Sequence, residues 1–123
     1  MSKKGWIASV VTALFLCLAT YAGAWEQQGK IYGTEMGYEG LAVQRGGVQV
    51  RLHNASHDDV EVSLKLLFYD KNGNSVGYTI FGLREIPAGK YVDVTNNYLN
   101  GDWRKCRDAF RIEWQTMTYE YLY

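Results

Sequence analysis

Apolar and polar residues alternate along much of the chain from about residue 48 onwards. Side chains of a β-strand point to opposite faces in turn, so this period of two predicts strands that bury one face. Two runs are clear, over residues 48–53 and 60–69. In the second run, the apolar face predicted to point into the core consists of Val60, Val62, Leu64, Leu66 and Phe68.

Turn signals divide the remainder of the chain into further short strands. Asn72 and Gly73 form a hairpin signal, because both residues tolerate a positive φ, and Pro87 with Gly89 marks a bend. No convincing apolar stripe with a helical period is present, and residues 96–108 are predicted to form a polar loop. The other strands are predicted at residues 75–83, 91–95 and 110–115, with weaker candidates at 30–35 and 41–44.

Short strands separated by turns, without a helical pattern, are typical of a β-sandwich. We predict a single domain over residues 25–123. Its predicted fold is an all-β, immunoglobulin-like or fibronectin III-like sandwich of about seven antiparallel strands. A chain of about 100 residues buries enough surface to fold in this way without another domain.

The first 24 residues have the composition of a cleaved secretory signal peptide. Lys3 and Lys4 precede an uncharged stretch over residues 6–19, and Ala22 and Ala24 occupy the two positions that a signal peptidase reads. Cleavage after Ala24 would place the domain in the bacterial periplasm or outside the cell, with no membrane insertion afterwards. An uncleaved anchor is the alternative, which the short apolar stretch disfavours because a span needs about 20 residues.

The charge balance disfavours two classes of partner. The chain has 13 basic and 13 acidic residues, and the predicted cleavage leaves 11 basic residues against the same 13 acidic ones. A net charge this small disfavours binding to nucleic-acid phosphates and attachment to an anionic membrane surface. We therefore predict no nucleic-acid partner.

Cys106 is the one cysteine left after the predicted cleavage, so no disulfide can form within the mature chain. An odd cysteine in a secreted protein is buried, free and reactive, or paired with another chain. Arg104, Lys105 and Arg107 surround it in the sequence, and nearby positive charge is expected to favour its thiolate. Burial as a small apolar residue is the favoured interpretation, and Cys106 stays a candidate for an intermolecular disulfide.

No residue pattern indicates catalysis. The sequence has no Gly-x-Ser-x-Gly motif and no recognisable pair of general acid and base, so we predict neither enzymatic activity nor a cofactor. His53 and His57 could be combined with Met36 and Met117 into a copper site. Their spacing on a strand and turn does not place the two histidines on one face, so no metal site is predicted.

The C-terminal segment joins the last predicted strand to an aromatic tail. In that strand, the residues predicted to face the core are Phe110, Ile112 and Trp114. If the alternation continues unbroken beyond Thr116, the tail presents an aromatic stripe to solvent, and the inward residues are Thr118, Glu120 and Leu122. A β-bulge near Thr116 would instead reset the alternation and bury the tyrosines. Large amphipathic side chains are enriched at interfaces, so the predicted partner contacts are Trp103, Met117, Tyr119, Tyr121 and Tyr123.

The stretch from Val48 to about Trp114 resembles the small immunoglobulin-like domains of bacterial envelope proteins typified by the FxLYD family. A similar layout occurs in small periplasmic lipoproteins. The resemblance implies an immunoglobulin-like fold and an envelope location, and it transfers no catalytic residue. The matching segments are residues 48–56, Val60-Glu61-Val62, residues 66–70, Asn72-Gly73 and Ile86-Pro87-Ala88-Gly89.

These observations favour a non-catalytic binding or assembly module in the periplasm or outside the cell. We expect it to engage a protein partner of the cell envelope through an edge strand or the aromatic C-terminal tail. A homodimer is one form that this could take. Two alternatives are a periplasmic copper carrier and an inhibitor of a secreted hydrolase, the latter requiring a protruding loop over residues 96–106.

Overall fold

The computed structural model describes residues 25–123, so the predicted signal peptide lies outside the described residues. Within the described part of the chain, no helix is long and apolar enough to cross a membrane. Residues 25–123 form eight strands and one short helix. They are β1 (Gly29–Lys30), β2 (Met36–Gln44), β3 (Gly47–Asn54), β4 (Asp59–Tyr69), β5 (Ser75–Ile86), β6 (Tyr91–Asn96), β7 (Asn100–Gly101), α1 (Trp103–Arg107) and β8 (Arg111–Leu122).

The strands form two four-stranded antiparallel sheets that share one hydrophobic core. Sheet 1 has the order β1-β2-β3-β6, and sheet 2 has the order β7-β5-β4-β8. This arrangement confirms the predicted antiparallel β-sandwich. In immunoglobulin terms, β2, β3 and β6 correspond to strands A, B and E, and β5, β4 and β8 correspond to strands C′, C and F. Within residues 25–123, no strand takes the place of strand G beside F.

Strand β4 is central to sheet 2, where it pairs with β5 on one side and with β8 on the other. Its predicted apolar face is confirmed, because all five of those side chains are buried. Burying a side chain of this size contributes about 1.5–3 kcal/mol to folding. The facing row on β3 is also buried and consists of Val48, Val50 and Leu52.

Strand β2 corrects the prediction for the N-terminal part of the domain. Of the weak strand predicted at residues 30–35, only Lys30 lies in a strand, β1. The weak strand predicted at residues 41–44 is confirmed as the second half of β2, which begins earlier, at Met36. A bulge between Glu39 and Ala42 shifts the register of β2, and Gly40 has a φ of +62° there. This irregularity interrupts the alternation of apolar and polar residues, so the pattern did not indicate the first half of the strand.

Residues 96–108, predicted to be a loop, contain β7 and α1. The Asp102 side chain caps the helix, since its Oδ1 accepts a hydrogen bond of 2.9 Å from the Arg104 N–H. A five-residue helix is too short to show a helical apolar stripe. The prediction that Phe110 faces the core is also wrong: Phe110 is 52% exposed and lies just before β8 begins.

Gly77 lets the segment containing β7 and α1 pack tightly against β5. A Cβ atom at Gly77 would lie 2.5 Å from the Cys106 Sγ and 2.6 Å from the Asn100 carbonyl oxygen. Both distances are well inside van der Waals contact, and one of the atoms belongs to the backbone. Only glycine therefore fits at this position without moving the segment away from the sheet.

We expect Gly77→Ala to lower the free energy of unfolding by about 1–3 kcal/mol, as overpacking does in other cores. Gly82→Ala on the same strand is the matched control, because an added Cβ there meets no atom within 4 Å. Chemical denaturation of both variants checks this. Equal denaturation midpoints for the two variants would contradict the tight approach of the segment to β5.

Candidate protein-binding edge

Strand β8 forms an edge of sheet 2 along its whole length. It has 12 residues, and all except Met117 pair with β4, from Arg111, opposite Tyr69, to Leu122, opposite Asp59. Among the described residues, no strand pairs with its other side. The backbone groups on that side are therefore available to another strand.

A bulge at Met117 sets the direction of the C-terminal side chains. Thr116 lies opposite Leu64 and Thr118 lies opposite Ser63, which makes Met117 an extra residue on β8. The alternation is reset beyond this point, as the bulge alternative predicted. Met117 itself is 55% exposed.

The reset turns two tyrosines toward the core. Tyr119 lies opposite Val62 and Tyr121 lies opposite Val60. Cross-strand partners share a face, and both valines are buried, so both tyrosines point inward and are half-buried. The unbroken alternation was wrong, and the outward residues of this half are Thr118, Glu120 and Leu122. Tyr123 at the end of the chain is 97% exposed.

A hydrogen-bond network fixes the tyrosines to the other sheet. The Tyr121 hydroxyl donates to Glu35 Oε1 at 2.6 Å, and the Glu35 N–H donates to the Tyr119 hydroxyl at 3.0 Å. The Tyr119 hydroxyl donates to that of Tyr121 at 3.4 Å. Because the hydroxyl of Tyr121 bonds to a carboxylate, its pKa is raised above the ordinary value of 10.0. Glu35 directly precedes β2, so this network joins sheet 2 to sheet 1.

The inner row of β8 is less covered than the row beside it on β4. Ile112, Trp114, Tyr119 and Tyr121 are all half-buried, whereas their partners on β4 are buried. The Trp114 ring packs against Tyr38 and Phe81, with centroid distances of 5.1 and 5.8 Å. These side chains close the core where an immunoglobulin sandwich has one more strand.

Trp103 does not join the tyrosines. It lies on α1, half-buried, with the guanidinium carbons of Arg104 and Arg107 at 4.9 and 5.1 Å from its ring centroid. The helix follows β7, which pairs with the start of β5, whereas Tyr121 lies beside the start of β4. In antiparallel neighbours these are opposite ends of the sheet, so Trp103 and Tyr121 belong to different surfaces.

Comparison of the chain with protein-family models, with curated proteins and with solved structures found no match. The resemblance to FxLYD domains therefore stays a prediction. Functional interpretation accordingly depends on the geometry of the domain itself.

Cys106 is fully buried on α1, and its Sγ lies 3.8 Å from the Val76 carbonyl oxygen. Burial raises the pKa of this thiol to about 11, and the negative charge of Asp102 adds to the effect. The expectation that basic neighbours favour the thiolate is therefore wrong. The favoured interpretation, a buried apolar cysteine, is confirmed, and a disulfide between chains would require this sulfur to reach the surface.

The structure does not bring together the side chains considered for copper. His53 faces away from the core and stacks on Tyr91, with ring centroids 4.0 Å apart. Met36, on β2 of sheet 1 like His53 on β3, is buried in the core, whereas Met117 lies at the bulge of β8 in sheet 2. In residues 25–123, no group of three or more His, Cys, Asp or Glu side chains is placed to hold a metal ion.

The segment considered for hydrolase inhibition lies against β5. The Thr79 hydroxyl donates to the Tyr98 carbonyl oxygen at 2.7 Å, and the Asn96 side-chain amide donates to the Thr79 hydroxyl at 2.7 Å. The segment ends at the buried Cys106. These contacts tie residues 96–106 to the sheet, so the segment does not form the protruding loop that an inhibitor would need.

Tyr121 should make the free energy of unfolding of the domain fall as the pH becomes alkaline. Its pKa is raised in the folded state, so its contribution to stability is complete below about pH 10 and is lost as the pH rises through the folded-state value. We expect the free energy of unfolding to fall less between about pH 9 and about pH 11 in Tyr121→Phe than in the wild type. Denaturant titration at each pH measures the slope. Tyr32→Phe, at a side chain that is 97% exposed, should keep the wild-type slope, and identical slopes in all three proteins would contradict the Glu35 contact.

Cys106 should resist alkylation in the folded protein. A pKa of about 11 in place of 9.0 reduces the thiolate fraction near pH 8 by roughly a hundredfold, and burial blocks access further. Iodoacetamide labelling followed by mass spectrometry should therefore be at least about a hundredfold slower in native buffer than in denaturant. Similar rates in both solutions would show that Cys106 is accessible.

Proposed function

We propose that this chain is a non-catalytic bacterial protein of the periplasm or the extracellular space that binds a protein partner by accepting a strand along β8. The open edge of β8, at the place of an immunoglobulin G strand, is the observation that supports this most strongly. Extended segments bind such edges through main-chain hydrogen bonds, and side chains of alternating faces provide specificity. The predicted signal peptide supports the location.

The side chains around this edge suit a partner that also covers apolar surface. The inner row is half-buried before any partner binds, so an added strand would remove its remaining exposed surface from water. Exposed apolar side chains continue along the edge at Phe110, Met117, Leu122 and Tyr123. The Tyr119 and Tyr121 hydroxyls are already fixed by Glu35, which lowers the entropy lost on binding.

A photo-crosslinking amino acid at Gln115 tests the proposal in the native bacterium. Gln115 is exposed in the middle of β8. Gln49 is the matched control, since it is an exposed glutamine on the outer face of β3. We expect a defined adduct from position 115 and none from position 49. No adduct from position 115, or the same adduct from both positions, would reject β8 as the binding edge.

A further inference from the structure

The two faces of β8 can be followed through the bulge. Arg111, Glu113 and Gln115 point outward before the bulge, and the outward residues after it are Thr118 and Glu120. Ile112, Trp114 and Thr116 point inward, as does Tyr119. Met117 lies between the two series and belongs to neither. A strand pairing with the free side of β8 must match these faces to extend the sheet.

We infer that the strand accepted by β8 is β8 of a second copy of this chain, paired antiparallel about a two-fold axis at Gln115. This inference rests on the proposed function and specifies its partner. In this register, the axis passes between the two copies of Gln115, and Met117 is the extra residue in both strands. Each paired residue then lies opposite a residue that points to the same face of the sheet. The pairs are Gln115 with Gln115, Trp114 with Thr116, Glu113 with Thr118, Ile112 with Tyr119, and Arg111 with Glu120.

Charge complementarity selects this register. The axis at Gln115 places Arg111 of each copy opposite Glu120 of the other, on the outer face. An axis at Thr116 also matches the faces, but it places Glu113 opposite Glu120 at two symmetric positions. Like charges directly opposite each other destabilise a sheet.

Glu120 forms no ion pair with another of the described residues. It lies opposite Glu61 on β4, and Glu61 lies opposite Glu85 on β5, so three carboxylates form a row across the outer face of sheet 2. Among residues 25–123, none of the three forms an ion pair. Arg111 of a second copy would supply positive charge at the β8 end of this row.

The inner face of the same pairing is apolar. Ile112 of one copy meets Tyr119 of the other, and Trp114 meets Thr116, at side chains that are half-buried or exposed in the single chain. Edge bulges commonly prevent strands from pairing. Here the two bulges occupy symmetric positions, and each lies between the Trp114–Thr116 pair and the Glu113–Thr118 pair.

Charge exchange tests the register in the full chain. In a dimer of the Arg111→Glu variant, both symmetric 111–120 pairs join two glutamates. In a dimer of the Glu120→Arg variant, both pairs join two arginines. We expect each variant alone to raise the dimer dissociation constant by about tenfold or more. A mixture of the two variants has opposite charges at both positions, so it should form a heterodimer with close to wild-type affinity. Sedimentation measures the affinities, and native mass spectrometry identifies the heterodimer, which also shows that both variants are folded.

A disulfide locates the axis independently. Gln115→Cys places two cysteines opposite each other, at a separation that a disulfide can bridge. Mild oxidation should therefore give a covalent dimer. Thr118→Cys is the control on the same face, because its partner is Glu113, and it should stay uncrosslinked. Equal crosslinking at both positions, or none at position 115, would overturn the register.

The failure of this inference is distinguishable from failure of the proposed function. A wild-type protein that stays monomeric up to about millimolar concentration, a range in which even weak complexes form, would overturn self-pairing. If the photo-crosslinker at position 115 then forms an adduct with a different protein, the proposal that β8 is a binding edge still holds. The absence of any adduct would reject both proposals.

Discussion

Within residues 25–123, the inner side chains of β8 are covered by a neighbouring strand on one side only, and the rest of the candidate site depends on this constraint. Strand β4 is paired on both sides, and its apolar face is completely buried. Strand β8 contributes large side chains to the same core but leaves them partly exposed. Tyr suits this position, because it combines an apolar ring with a hydroxyl that tolerates water.

The Glu35 network fixes the tyrosines on the side of β8 that no strand of the described residues covers. A carboxylate and a backbone N–H, both from the residue that precedes β2, bind the two tyrosine hydroxyls and join the sheets at the open side of the sandwich. Hydrogen bonds to a charged group are stronger than neutral ones. The network therefore orders the C-terminal half of β8 in the single chain, and a strand that binds there meets a rigid surface.

Sequence periodicity predicted the elements whose side chains alternate without interruption. Strands β3 and β4 and the hairpin after β4 were correctly indicated, because neither strand contains an extra residue that would break its alternation. Only residues 41–44 of strand β2 were indicated, because its bulge breaks the alternation. Helix α1 was missed because five residues are too few for a helical stripe.

The candidate site was predicted less completely than the fold. The sequence predicted a last strand that continues into the tyrosine tail, but two alternations were open until the bulge was located at Met117. Glu35 had no signal in the sequence, because it is 86 residues from Tyr121 and its contact forms only when the sheets pack. Trp103 was grouped with the tyrosines by residue type, although the topology places it at the other end of the sheet.

The bulge also determines how another strand can pair with the open edge. Strand β4 matches the faces of both halves of β8, because Met117 is left without a partner between the Leu64–Thr116 and Ser63–Thr118 pairs. A strand on the free side that leaves Met117 unpaired in the same way also matches both halves, whereas a strand that pairs with Met117 is out of phase beyond it. In the proposed dimer, each bulge lies opposite the uninterrupted step from Trp114 to Glu113 of the other copy. The two bulges therefore do not oppose each other, and β8 of a second copy meets each bulge in the way that β4 does.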